Sequence, residues 1–433
     1  MIFKAAAGKY KILCLSLLVL LGALIYSNSF YNPFCFDDGL YITGNPAIRN
    51  IANLRAVWNY FPSRFITFVT FALNYRFNAF SVFGYHLVNL IIHLSCAMLV
   101  FWLANLILSA PLMQKDKIAA FARPFAFFAA LLFLSHPIQT EAVVYIWQRS
   151  TLLVALFYLL SLCLYIKARL LQINNNASKA KVFYIFSLFS ALISMFSKEN
   201  SVTLPVMIIL CEFYFLKKPG RIRLKPVLPF LALLPVVPAM LFFAKPETFS
   251  DIERLFYNPA DTGFYYFITQ LRVFITYLRL VFVPVSQNID YDYPFMKSIF
   301  QPQVFLSLLV VIIILFVAFK LYKKYRLLSF AIIWFFVALF PESSIVPLKD
   351  IIFEHRLYLP LAAFSIFFVA ALCYLFRENK TKLLISMLSI IIAVYSFMAH
   401  QRNKIWQDEV TLWTDAIHKS PNKPRVYNNR GSA

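Results

Sequence analysis

Apolar residues follow one another along most of the chain in long runs that are separated by short polar segments. These runs approach the roughly 20 residues that an α-helix needs to cross the hydrocarbon core of a bilayer. The sequence therefore predicts an all-α integral membrane protein with about eleven transmembrane helices. The predicted spans lie near 12–28, 84–108, 118–135, 150–166, 182–197, 200–216, 226–244, 303–319, 327–341, 357–376 and 383–399.

A twelfth apolar run, 264–284, differs from the others because it contains Gln270, Arg272 and Arg279. A charge at the centre of a membrane costs about 2.5–3.5 kcal/mol or more. Counting this run as a span would also place the basic connector 320–326 outside, against the preference of Lys and Arg for the cytoplasmic side. We therefore predict a re-entrant or interfacial helix here, at the outer face.

Composition agrees with a membrane protein, since hydrophobic residues make up 61% of the chain and charged residues 14%. Soluble domains average about 45–50% and about 25%. A soluble α/β enzyme, a disordered chain and a disulfide scaffold are excluded.

The net charge of +22 would suggest nucleic acid in a soluble protein. With eleven spans, however, six connectors rich in Lys and Arg all fall on the cytoplasmic side, beginning with Lys4, Lys9 and Lys11 ahead of an uncleaved signal anchor. The positive charge is therefore a topology signal, and no nucleic-acid partner is needed.

Most acidic residues lie instead in four outer loops, at 29–83, 136–149, 245–302 and 342–356. In the first of them, Asp37 and Asp38 follow the first span closely. Two adjacent carboxylates repel each other, which raises one pKa and suits a general base or a ligand of a divalent metal such as Mg²⁺ or Mn²⁺. The alternative is that an Asp caps the next helix.

Polar residues recur in the same outer region. Segments 51–61 and 64–80 mix Arg with aromatic residues, as in interfacial helices or ordinary packing helices. His86 and His93 are seven residues apart, which favours interhelical hydrogen bonding over a metal site. Other polar clusters contain His136, Glu141 and Arg149; Lys198 and Glu199; and Glu354, His355 and Arg356.

Each of these clusters could be a local salt bridge or a cap, but together they predict one polar, cationic cavity. Arg272 and Arg279 are also seven residues apart and so share a helical face. Arginine suits bidentate phosphate recognition, and a lipid-linked phosphate would occupy that position. Snorkelling arginines without a ligand are the alternative.

From Trp406 onward the chain becomes polar and reads as a helix, a Ser-Pro-Asn turn and a second helix. This pattern is similar to part of a tetratricopeptide repeat. We therefore divide the chain into a membrane domain, 1–400, and the start of a truncated repeat region on the outer side, 401–433.

Several motifs occur in order along nearly the whole chain. They are Phe36-Asp37-Asp38 with Asn45-Pro46, Leu73-Asn74-Tyr75, Gly84-Tyr85-His86-Leu87-Val88-Asn89, His136-Pro137 with Thr140-Glu141, Ser197-Lys198-Glu199, Tyr277-Leu278-Arg279 and Arg356-Leu357-Tyr358-Leu359-Pro360. In these motifs the chain resembles the transmembrane and tetratricopeptide-repeat proteins of the GT-C glycosyltransferase superfamily, whose eukaryotic members are protein O-mannosyltransferases.

The resemblance implies a GT-C fold in which Asp37 and Asp38 are catalytic. It further implies a sugar donor on a polyprenyl phosphate, held by Lys198, Arg272, Arg279 and Arg356. The other outer-loop residues expected to support the site are Arg64, His86, His136, Glu141, Arg149, Glu199, Glu354 and His355. Ser63-Arg64-Phe65 stands where the family usually has Arg-Pro, which leaves the role of Arg64 open.

The predicted function is transfer of a sugar from the lipid carrier to a hydroxyl acceptor, with protein Ser/Thr as the preferred acceptor. A lipid or cell-envelope glycan is an alternative acceptor. A transporter or flippase of lipid-linked sugars is the alternative from another class, although the internal symmetry usual in transporters is missing from the sequence. The expected location is a bacterial inner membrane with the active site facing the periplasm, or the endoplasmic reticulum membrane of a eukaryote.

With eleven spans the tail after Arg402 lies outside. A reporter fused after Arg402 should therefore be active only if it is exported. Activity of a cytoplasmic reporter at that position would contradict the predicted arrangement.

Overall fold

The computed structural model describes residues 2–216, 224–242, 263–344, 348–376 and 380–433. Part of the predicted cytoplasmic charge lies outside these ranges, namely Lys217, Lys218, Arg221, Arg223 and Arg377.

Within the described ranges the regular structure is helical, and no β-strand occurs there. The α-helices are α1 Ile2–Tyr26, α2 Leu54–Tyr60, α3 Phe65–Asn78, α4 Val82–Leu108, α5 Ala122–Ser135, α6 Thr140–Val144, α7 Arg149–Ile173, α8 Ala177–Met195, α9 Leu204–Cys211, α10 Leu228–Leu231, α11 Val236–Phe242, α12 Gly263–Phe282, α13 Pro302–Leu321, α14 Arg326–Leu339, α15 Pro360–Leu375, α16 Thr381–Asn403, α17 Glu409–Lys419 and α18 Pro424–Ser432.

Eight helical segments of the described chain are long and apolar enough to cross a membrane. They are Lys9–Tyr26, Val82–Leu108, Ile146–Ile173, Ala177–Met195, Glu199–Leu216, Pro302–Leu321, Arg326–Ser343 and Thr381–Trp406. The prediction of an all-α membrane protein is thereby confirmed.

Three further apolar segments are shorter or bent. Ala122–Ser135 and Pro137–Val144 form a pair bent by 51°, either a broken span or a re-entrant loop, and Leu228–Met240 and Pro360–Leu375 are short apolar helices. Each of the eleven predicted spans thus has a helical counterpart. The number that cross the membrane stays a prediction.

Helix α12, which the sequence sets apart, is not among the candidate spans although it has 20 residues. One of its faces is hydrogen-bonded to Glu342 and to the segment 351–353. The hydroxyl of Tyr266 donates to the carbonyl of Glu342 at 2.7 Å, the Gln270 amide donates to the carbonyl of Ile351 at 2.9 Å, and the Tyr277 hydroxyl donates to the carbonyl of Phe353 at 3.1 Å.

Helices α4 and α7 lie at the centre of the bundle and are mostly buried, whereas α13 and α16 lie at its edge with apolar side chains exposed. Helix α7 packs against α4 and α8, and α5 packs against α4 and α15. Lipid is as apolar as leucine, so close packing and hydrogen bonds must hold such helices together. The polar ends of these helices and the loops that join them position the candidate site.

Candidate functional site

Asp38 lies in segment 29–83, the first of the predicted outer loops, immediately before the short helical segment Gly39–Thr43, and is fully buried. Its side chain does not cap that segment. Instead, one carboxylate oxygen accepts the backbone N–H of Cys35 at 3.1 Å, and the other accepts that of Trp147 at 2.7 Å. Burial raises the pKa of Asp38 well above its usual range, and the two N–H groups oppose this shift. Asp38 therefore joins the first and second outer loops.

Asp37, its neighbour, is only partly buried. Its backbone N–H donates to the hydroxyl of Tyr145 at 3.0 Å. The pKa of Asp37 is raised, mainly by burial and further by the negative charge of Asp350, while Tyr145, Arg425 and Lys349 lower it. Of the two adjacent carboxylates, Asp37 is therefore the more accessible.

Trp147 forms an aromatic platform next to this pair. Its ring stacks on Tyr41 with 4.0 Å between ring centroids, and the guanidinium of Arg64 lies 5.1 Å from its centroid. Since its backbone N–H binds Asp38, the platform and the acidic pair are one unit.

Arg64 also forms a salt bridge with Glu199, with 3.4 Å between Nη2 and Oε2. Glu199 also accepts the hydroxyl of Ser63 at 2.6 Å. The segment before α3 is thus attached to the turn between α8 and α9, where Lys198 lies.

The Lys198 ammonium is buried and contacts Glu342 Oε1 at 3.0 Å and the hydroxyl of Thr151 at 3.0 Å. Burial lowers its pKa and Glu342 opposes that shift. Glu342 Oε2 is buried and has no hydrogen-bond partner in the described part of the chain, which marks a polar interior at this point.

His355 contacts Glu141, with 2.6 Å between Nδ1 and Oε1. Its pKa is held well below the usual range, first by burial and then by the positive charges of Lys198, Arg356 and Arg64. Burial and these positive charges therefore disfavour the charged form of the His355 ring. Three cations from three different loops surround it.

Arg356 is buried and donates to the backbone carbonyl groups of Ile351 at 2.9 Å and Asp350 at 2.6 Å. Glu354 is a structural anchor, because it accepts the Gln287 amide at 2.9 Å, the Asn288 backbone N–H at 2.6 Å and a hydroxyl at 2.6 Å. The last of these belongs to Tyr291. The last outer loop is therefore fixed to the segment that follows α12.

Arg149 is fully buried under the platform and has neutral acceptors around it. Its guanidinium donates to Asn74 Oδ1 at 2.6 Å, to Asn89 Oδ1 at 2.8 Å and to the carbonyl of Tyr85 at 3.0 Å. It also lies 4.5 Å from the ring centroid of Phe71. These contacts give it a structural task, that of holding α3, α4 and α7 together.

The other three histidines named from the sequence contact backbone or hydroxyl groups. His86 Nε2 lies 2.9 Å from the carbonyl of Asn32, His93 Nδ1 lies 2.8 Å from the hydroxyl of Tyr358, and His136 Nε2 lies 3.0 Å from the carbonyl of Val281. His86 and His93 make hydrogen bonds between elements, as the sequence favours.

Arg272 and Arg279 share one face of α12, but the helix turns this face away from Tyr266, Gln270 and Tyr277. Arg272 lies 5.1 Å from the ring centroid of Tyr293, and Arg279 is exposed and donates to the carbonyl of Val285 at 2.9 Å. The structure thus separates the predicted phosphate ligands into two groups, one at Lys198 and Arg356 and one on α12.

The described residues contain no group of three His, Cys, Asp or Glu side chains that could hold a metal ion. Both oxygens of Asp38 accept backbone N–H groups, and the Asp37 carboxylate lies beside the hydroxyl of Tyr145. The residues that the structure describes thus do not fit a metal centre, and no step below passes through one.

The structure adds residues to the site that the sequence gives no reason to choose. Tyr145 contacts Asp37, and Glu342 pairs with Lys198. Arg425 of α18 pairs with Asp290 and Asp350, with 2.5 Å to each carboxylate. All these partners are distant along the chain, so no local pattern could have identified them.

The two carboxylates should respond differently to the same substitution. Asp38→Asn leaves one backbone N–H without its acceptor and points an NH₂ group at it, which should cost about 1–3 kcal/mol. Asp37→Asn should leave stability nearly unchanged. Thermal unfolding of the purified protein in detergent measures both, and equal midpoints would contradict the assigned roles.

The chain is similar over most of its length to proteins named protein O-mannosyl-transferase. It is 26% identical over 439 residues to one from Caenorhabditis elegans, covering 96% of this chain and 59% of that protein. It is 25% identical to human TMTC1, covering 94% of this chain and 51% of the relative. For Drosophila melanogaster Tmtc3 the identity is 24%, over 85% of this chain and 46% of the relative.

The chain therefore spans about half the length of the relatives that it matches. No known family profile matches it. No solved structure matches it either. The similarity and the fold together identify an all-α membrane protein whose relatives carry the name of glycosyltransferases that act on proteins.

Proposed function

We propose that the protein is a membrane glycosyltransferase that moves a sugar from a polyprenyl-phosphate carrier to a Ser or Thr hydroxyl of a protein. The observation that carries this proposal is the difference in environment between Asp37 and Asp38. One carboxylate is locked by backbone N–H groups, and the other is partly exposed and has a raised pKa. A base must be free to accept a proton and must have a pKa near the working pH.

In the proposed reaction, Asp37 takes the proton from the acceptor hydroxyl while the hydroxyl oxygen attacks the anomeric carbon. The bond from that carbon to the phosphate oxygen breaks, and the carrier phosphate leaves with its electron pair. Direct displacement of this kind inverts the anomeric configuration. Asp38 holds the turn that carries Asp37.

Lys198 and Arg356 are the cations that we propose for the leaving phosphate. They lie in the same set of outer loops as Asp37. The carbonyl of Asp350 accepts a hydrogen bond from Arg356, and the negative charge of Asp350 raises the pKa of Asp37. Positive groups in a buried site stabilise a developing anion more strongly than they would in water. The similarity to protein O-mannosyl-transferases favours mannose as the sugar and a protein as the acceptor.

The active side would face the periplasm if the protein is bacterial, or the lumen of the endoplasmic reticulum if it is eukaryotic. A lipid or glycan acceptor and transport of lipid-linked sugars gain no specific support from the geometry.

Asp37→Asn should lower transfer by about 10²–10⁴-fold, because Asn keeps the size of Asp but cannot take the proton. The assay uses membranes with a saturating polyprenyl-phosphate mannose and a Ser/Thr peptide acceptor. Asp292→Asn, which removes a carboxylate from another outer loop, is the matched control and should keep normal turnover.

The wild-type rate should also depend on pH in a defined direction. Asp37 must be ionised to act, so kcat/KM falls as pH drops through its raised pKa, above the usual Asp value of about 3.9. This acid limb should vanish in the residual activity of Asp37→Asn. An unchanged rate and an unchanged profile in that variant would contradict the assignment.

The two groups of cations can be separated by a pair of matched variants. Lys198→Gln should raise the KM for the lipid-linked donor by about tenfold or more, because a hydrogen bond to a charged group is lost. Arg272→Gln/Arg279→Gln should change it little, since those side chains face away. The opposite result would place the carrier phosphate at Arg272 and Arg279 on α12.

A further inference from the structure

The backbone of Phe36, directly before the acidic pair, has a left-handed conformation with φ of 52°. A bulky aromatic residue is a genuine outlier there, because its Cβ crowds the backbone. Residues in such conformations persist only where their surroundings hold them, and they cluster at functional sites. The contacts of Phe36 therefore have to account for its conformation.

Those contacts come chiefly from the polar tail, more than 370 residues away in sequence. The backbone N–H of Phe36 donates to Glu409 Oε1 at 2.8 Å. Its ring meets Trp413 edge to face with 5.2 Å between centroids, and the guanidinium of Arg425 lies 5.7 Å from its centroid. Helices α17 and α18 thus both contact Phe36.

Arg425 in turn fixes the tail to the outer loops through Asp290 and Asp350. Ser420 adds two contacts, accepting the Asn288 amide at 2.8 Å and the backbone N–H of Asp292 at 2.9 Å. The helices that contact Phe36 are therefore themselves fixed to the segments that carry Asp290 and Asp350.

The φ angle of Phe36 sets the directions of the two residues that follow it. Asp38 turns inward to the N–H groups of Cys35 and Trp147, and Asp37 is left on the accessible side. If Phe36 relaxed to a negative φ, this arrangement would rotate as a unit. A displacement of about 1 Å at a reacting group can cost about 10²-fold in rate.

We propose that Glu409 is a positioning residue for the transfer reaction, holding the Phe36 N–H so that Asp37 is presented to the acceptor. This inference rests on the proposed role of Asp37 as the base. It makes the polar tail part of the catalytic site.

The neighbouring residue Asp408 provides a matched control. Its carboxylate accepts the backbone N–H of Thr411 at 2.7 Å and the Thr411 hydroxyl at 2.7 Å, which caps α17. Removing a cap weakens a helix without touching Phe36. Asp408→Ala and Glu409→Ala therefore separate loosening of the tail from loss of the hydrogen bond to Phe36.

We expect Glu409→Ala to lower kcat by about 10- to 100-fold, with little change in the donor KM, because a reacting group is misplaced. Glu409→Gln keeps a side-chain oxygen acceptor and should stay within about threefold of wild type. Asp408→Ala should do the same. The assay is the mannosyl transfer to a Ser/Thr peptide described above.

A second background tests the backbone directly. Glycine adopts positive φ without a steric penalty. In Phe36→Gly the backbone at position 36 would therefore no longer need the hydrogen bond to Glu409 to keep its conformation. Glu409→Ala should then cost only about threefold when compared within the Phe36→Gly background. An equal loss in both backgrounds, or an equal loss in Asp408→Ala, would overturn the inference.

A structural readout keeps this test separate from the proposed activity. Amide hydrogen exchange of the 35–38 peptide should be faster in Glu409→Ala than in Glu409→Gln, since only the former leaves the Phe36 N–H free. Unchanged exchange would overturn the positioning role whatever the activity. If exchange is faster in Glu409→Ala but the wild-type protein transfers no sugar, the proposed function is overturned. The positioning of Phe36 by Glu409 then still holds.

Discussion

The candidate site depends on the buried carboxylate of Asp38, which accepts one backbone N–H from each of two outer loops. A buried polar group is costly unless it has hydrogen-bond partners, so the two N–H groups restrict the position in which the loops close around Asp38. That position fixes the Trp147 platform, the turn that carries Asp37 and, through Arg64, the link to Glu199. Loss of either N–H would leave a buried carboxyl oxygen without a partner.

The same constraint applies to the other charged residues around the candidate site. Lys198 pairs with Glu342, Arg64 with Glu199 and Arg425 with Asp290, and the two partners always come from different segments. Pairs of this kind contribute little net stability, but they allow few alternative arrangements. The site is therefore a network in which the position of each charge is set by a partner that is distant in sequence.

The tail belongs to this network rather than lying beside it. Its first helix begins at Asp408 and Glu409, one of which caps the helix while the other reaches the backbone of Phe36. In the adjacent helix, α18, Arg425 pairs with Asp290 and Asp350. A residue with a positive φ, directly before the proposed base Asp37, is thus held by the polar tail of the chain.

The sequence by itself determined the class of fold, because runs of apolar residues long enough to cross a bilayer have few other solutions. It set α12 apart through Gln270, Arg272 and Arg279, and it drew attention to Asp37 and Asp38 through their adjacency. It could not tell the two carboxylates apart, and it grouped Arg279 with Lys198. Only the tertiary structure decided which carboxylate is buried, which face of α12 meets the loops, and that Glu409 contacts Phe36. The physical reason is that hydropathy and helical periodicity are local properties of the chain, whereas burial and charge pairing depend on segments that meet only after folding.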